Sequence, residues 1–151
     1  MARWEKILVA VDEGETSLRA LRYVGRMATA MTDVSICLLN IYPEPPPDFY
    51  TNGGVLAVYQ AEKEKRADVI FAEGERVLLE AGIEPGHIQR ATYLAAGKTI
   101  SQMVLDIQRE GDFGTVVVGK RGVSKAEEFL FGSISNALAR HSSSFTTWIV
   151  G

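Results

Sequence analysis

Ile7-Leu8-Val9-Ala10-Val11 is an unbroken apolar run that stops at Asp12-Glu13-Gly14. Five contiguous aliphatic residues ended by turn formers match a strand buried on both faces, as in a parallel sheet. Thr16 stands where an N-cap would open the next segment. In that segment Ala20, Leu21, Val24, Met27, Ala28 and Met31 recur at helical spacing. Val34 to Ile41 is a second apolar, β-rich run, so the chain opens strand–helix–strand. Tyr42 to Gly54 holds four of the five prolines and ends Asn52-Gly53-Gly54. Proline removes a backbone donor and fixes φ, so this stretch reads as a partly extended loop, either a lid over a site or a passive insertion.

Beyond the loop, periodicity predicts a long helix from Val55 to Ala81, with Ala67, Ile70, Phe71, Gly74, Val77, Leu78 and Ala81 on one stripe. Gly82 is its stop signal. His87 to Ala95 alternates loosely and reads as a third strand. Gly97 turns the chain into a helix carrying Ile100, Met103, Val104 and Ile107. Thr115-Val116-Val117-Val118-Gly119 is a fourth strand. A glycine- and charge-containing loop runs to Gly132, and Ile134, Ala137, Leu138 and His141 mark a last helix. Thr146 to Val150 is a fifth strand. Strands and helices in alternation imply an α/β fold with a mainly parallel sheet and right-handed crossovers.

Composition narrows the function classes. The 151 residues suit one domain spanning 1–151, large enough to need no metal or disulfide. They are 46% hydrophobic and 23% charged, as in an ordinary globular chain. A net charge of −3 disfavours general binding to nucleic acid or anionic membranes. Cys37 is the single cysteine, in an apolar run, and reads as a buried hydrophobe. No apolar stretch is long enough for a membrane span, and the N-terminus lacks a secretory-type apolar core, so a cytoplasmic protein is expected.

In open parallel sheets, ligands sit outside the carboxyl ends of the strands, where the strand order reverses. The first strand delivers Asp12 there, the second Ile41-Tyr42 and the fourth Gly119-Lys120-Arg121-Gly122. Gly119 and Gly122 allow a sharp turn and close backbone approach to a ligand. Successive N–H groups in such a turn form an anion-binding concavity. Gly132-Ser133 opens the last helix, whose positive end attracts phosphate. Arg121 offers a charged fork. These features alone leave two readings open: a phosphate loop, or a tight turn with a Gly–Ser helix start and no ligand.

The spacing G-x2-G-x9-G-S resembles the nucleotide-binding signature of the universal stress protein family. Ile7 to Asp12 is similar to that family's first strand, and Gly119 to Ser135 with Leu138 to His141 to its C-terminal block. The resemblance covers nearly the whole chain. It implies an open, Rossmann-like, five-stranded parallel sheet in the order 3-2-1-4-5, with helices on both faces. It implies ATP as ligand, with Mg²⁺ as a possible companion, and a homodimer formed through the last strand. Asp12 would read the adenine or ribose side, and Ala10, Val11 and Ile41 would flank adenine. Val118, Gly119, Arg121, Gly122, Gly132, Ser133, Ile134 and Ser135 would hold ribose and phosphates. Two departures stand out. The segment His141 to Thr147 is polar and lacks the proline usual there, and Glu13 and Glu15 follow Asp12 where small polar residues are more usual.

Other chemistries are disfavoured. Gly97-Lys98-Thr99 ends like a P-loop, but Thr92 occupies the position where the motif needs glycine. The loop after the first strand lacks both a Ser-Gly-Gly-x-Asp-Ser adenylating motif and a dinucleotide fingerprint. His87 and His141 lie far apart with no zinc spacing, His141 reading as a helix-terminal residue that completes an apolar stripe. No nucleophile elbow flags a catalytic serine, so no catalytic residue is assigned. The expectation is an ATP-binding regulator or protective factor. A nucleotide-independent dimeric scaffold or a slow ATPase are its alternatives.

Overall fold

The computed structural model describes residues 3–120, 134 and 136–151. Five parallel strands, β1 (Arg3–Ala10), β2 (Ser35–Pro43), β3 (Ile88–Ala95), β4 (Phe113–Gly119) and β5 (Thr146–Val150), form one sheet in the order β3-β2-β1-β4-β5. Helices α1 (Glu15–Ala28), α2 (Leu56–Glu80) and α3 (Ile100–Gly111) connect them, and a last helix, α4, includes residues 134 and 136–141.

Alternation along the central strands sorts the core into two layers. Ile7 and Val9 of β1, Ile36 and Leu38 of β2 and Val117 of β4 pack with Leu21 and Val24 of α1 and Phe71 and Leu78 of α2. Their neighbours Leu8, Cys37, Leu39, Val116 and Val118 point the other way, toward Val104 of α3 and Leu138 of α4. A strand's side-chain period of two makes this division automatic once both faces are covered. The buried stripe of α2, namely Ala67, Phe71, Gly74, Val77 and Leu78, is the one its periodicity predicts. Gly82, with φ of +100°, ends that helix in a conformation that favours glycine.

Three local expectations change. Thr16 lies inside the first turn of α1, because the extended N-cap is Gly14, which has no capping side chain. Asp12 organises the turn instead: its Oδ1 accepts from the Gly14 N–H at 2.6 Å, and its own N–H donates to Ser17 Oγ at 3.1 Å. β2 continues to Pro43, paired with Ala95. The Leu39 carbonyl points toward β1, accepting from the Val11 N–H at 2.8 Å. Alternation puts the missing donor of Pro43 on that same side, where β1 has already ended, so no ladder bond is lost. His141 is exposed at the end of α4, where an apolar stripe would have needed it covered.

The proline-rich stretch after Pro43 is a folded turn. Phe49 packs edge-on against Tyr59 of α2 at 5.5 Å, and the Gly54 N–H donates to the Phe49 carbonyl at 2.8 Å. The Tyr59 hydroxyl donates to the Pro43 carbonyl at 2.6 Å.

Candidate functional site

A cavity of about 320 Å³ opens at the carboxyl ends of β1, β2 and β4. The chain crosses from β1 to β2 on one side and occupies β4 on the other, so the cavity lies at the reversal of strand order. Its size is at the small end of the ~300–1,000 Å³ usual for small-ligand sites.

The sheet supplies the floor. Ala10, Val11 and Asp12 come from β1 and its exit, Ile41 from β2, and Val118 and Gly119 from β4. Ile134 reaches the same cavity from α4. Seven of the residues picked out in the sequence therefore line one space. Arg121, Gly122, Gly132, Ser133 and Ser135, together with the signature's loop, lie outside the described residues.

The structure gives Gly119 a different reason for being glycine than ligand approach. A Cβ there would stand 2.5 Å from the Thr16 carbonyl oxygen and 2.8 Å from its carbon. The end of β4 is pressed against the first turn of α1, leaving no room for a side chain.

Several lining residues went unread in the sequence. Asn40, the polar residue inside β2, donates from Nδ2 to the Val11 carbonyl at 2.9 Å and so holds the exit of β1 against β2. Its signal was a carboxamide interrupting an apolar strand. Thr99, Ile100, Ser101 and Val104 bring the start of α3 over the cavity. Thr99 caps that helix: its hydroxyl accepts from the Gln102 N–H at 3.1 Å, and the Gln102 side chain accepts from the Thr99 N–H at 2.9 Å. Thr-x-x-Gln is a recognisable capping box and was legible.

The resulting site has aliphatic walls, a half-buried carboxylate at Asp12 and hydroxyls at Thr16, Thr99 and Ser101. Such a lining suits a flat apolar group bearing polar edges. Among the described residues, no three His, Cys, Asp or Glu side chains are grouped to hold a metal ion, and no helix is long and apolar enough to cross a membrane.

Comparison with known proteins agrees with this architecture. The chain is 25% identical over 140 residues to the universal stress protein YxiE of Bacillus subtilis (strain 168), covering 91% of this chain and 93% of that protein. A universal stress protein solved in complex with cAMP superposes with a TM-score of 0.65 at 22% identity, over 100% of this chain and 98% of its own. The universal stress protein from Archaeoglobus fulgidus in complex with dAMP gives 0.69 at 18% identity, with both chains covered completely (100% and 100%). The family model described as "Universal stress protein family" matches residues 3–150. With sheet order, cavity position and this match in agreement, the chain belongs to the universal stress protein family.

Proposed function

We propose that this protein binds an adenine nucleotide, with ATP as the working ligand, in the cavity at the ends of β1, β2 and β4. It acts in the cytoplasm through that occupancy, as a nucleotide-responsive regulator or protective factor. The observation that carries the reading is the cavity itself: an aliphatic slot at the reversal of strand order, with Asp12 at its edge. Family members solved with cAMP and dAMP support the choice of adenine nucleotides.

In this reading Ala10, Val11 and Ile41 contact the base, and Asp12 accepts from the base or ribose. Val118, Gly119 and Ile134 flank the ribose. The phosphates run toward Arg121, Gly122, Gly132, Ser133 and Ser135. The chemistry of the donors fits a nucleoside, because apolar walls stack a purine while backbone and hydroxyl groups meet its polar edges. Mg²⁺ accompanying ATP would be held chiefly by the phosphates and water, as is usual for that ion. Two copies pair through β5, whose outer edge has no neighbouring strand among the described residues and carries Ile149 exposed at 48%.

Calorimetric titration with ATP, AMP and GTP tests the ligand. Saturable binding of the adenine nucleotides over GTP is expected, with thermal stabilisation of about 2.7 kcal/mol at a hundredfold excess over Kd. Ser101→Trp, which fills the cavity from its partly exposed rim, should abolish binding and leave the fold intact. Unchanged affinity in that variant would place the nucleotide elsewhere.

A further inference from the structure

A second, more open groove of about 690 Å³ adjoins the cavity and shares Asp12, Thr16, Asn40 and Ile41 with it. Its character is different. Arg19 of α1 and Lys63 and Arg66 of α2 line it together. Neither arginine makes a salt bridge among the described residues, and Lys63 only lies over the Tyr59 ring, 5.4 Å from its centroid. By contrast, Arg76 of α2 holds Glu73 and Glu80, and Arg90 of β3 holds Glu75. Glu13 and Glu15 line the same groove and are exposed, yet they do not pair with its cations either.

Three cations lining one groove repel each other, and among the described residues no salt bridge holds any of them, although the carboxylates of Asp12, Glu13 and Glu15 line the same groove. The free N–H groups in the first turn of α1 add positive potential, since Gly14 offers no side-chain cap, and this is offset in part by the Asp12 carboxylate, which accepts from the Gly14 N–H, and by Glu15. Guanidinium groups present planar forks that match an oxyanion, with lysine as a mobile point charge beside them. We propose that this groove is a second subsite, taking a compact oxyanion, a phosphoryl or carboxylate group, between Arg19, Lys63 and Arg66. Asp12, Glu13 and Glu15, which line the same groove, oppose the anion and limit its affinity. The group arrives either on the ligand whose base fills the neighbouring cavity, in which case the proposal rests on the base site read above and turns that ligand's phosphate into this groove and away from Arg121 and Gly122, or as a free anion, in which case it stands alone.

Amide NMR of the full chain at low ionic strength, where surface charge is least screened, separates these cases. Inorganic phosphate, AMP and adenosine are titrated in turn into the wild type, into Arg19→Gln/Arg66→Gln and into Glu13→Gln. Saturable shifts of the Gly14 and Thr16 amides with phosphate alone support a free anion. They should weaken by about tenfold in the double variant and strengthen in Glu13→Gln. Loss of AMP affinity by a similar factor in the double variant, with adenosine binding unchanged, supports an anion carried by the nucleotide. Phosphate binding in a chain that takes neither AMP nor adenosine would remove the nucleotide reading and leave the subsite standing. Still amides under phosphate together with equal AMP affinity in wild type and double variant would overturn the subsite. So would weaker binding in Glu13→Gln, which marks a groove for cations.

Discussion

A methyl group added at Gly119 would be forced against the Thr16 carbonyl, 2.5 Å away, and backbone on both sides leaves little room to yield. Gly119→Ala should therefore destabilise the protein by ~1–3 kcal/mol in urea denaturation, with or without ligand. Wild-type stability in that variant would mean that β4 and α1 separate easily. The glycine was legible in the sequence, but its reason was not, since a close approach between segments over a hundred residues apart leaves no local trace. Asn40 makes the same point from the other side. One carboxamide bond to Val11 holds two strand ends together, and Asn40→Leu should cost ~1 kcal/mol and loosen the exit of β1, visible as faster amide exchange at Val11 and Asp12. Cys37 was read correctly from its apolar neighbours. Burial pushes its thiol up to about 11, only partly offset by Lys6. A folded-state value above the unfolded one means the native state keeps its proton longer, so this contribution is intact below the ordinary thiol range and fades as pH rises through it toward 11. Thiol titration with a disulfide reagent at pH 8 should be slow in the native protein and fast in urea.

At the level of elements, patterns that depend on burial were legible. The β1 run, the β5 boundaries and the stripe on α2 follow from periodicity, because both faces of the sheet and one face of the helix must be covered. Helix starts were less so. Thr16 was an attractive cap by residue type, but Asp12 and Ser17 tie the preceding turn and leave Gly14 at the boundary. The capping box at Thr99 is the firmer start. Thr99→Ala removes the hydroxyl that accepts from the Gln102 N–H, leaves the backbone N–H that donates to the Gln102 side chain, and should cost ~1 kcal/mol, measured by urea denaturation. The same change should raise amide exchange in the first turn of α3, the turn that overhangs the cavity. The proline-rich stretch read as partly extended because proline excludes regular structure. Its aromatic packing onto Tyr59 depends on α2 and could not be seen from composition.

For the whole molecule, strand alternation gave the class, while the order β3-β2-β1-β4-β5 followed from the family resemblance and is the order observed. The polar segment before β5 left the dimer mode open. Placing a charge on the free edge decides it: Ile149→Lys should convert a β5-paired dimer to monomer in light scattering, with little change in fold because Ile149 is exposed. A variant dimer as tight as wild type would assign assembly to another surface.

The Tyr23–Trp148 contact joins α1 to β5, ring edge to ring face at 5.6 Å, whereas the other tryptophan, Trp4, is 65% exposed at the start of β1. The two indoles therefore differ in their access to dissolved quenchers. Iodide should extinguish Trp4 emission first, leaving a blue-shifted residue of light from Trp148. That remaining glow is a built-in optical gauge of whether the final strand has docked, readable without attaching any dye.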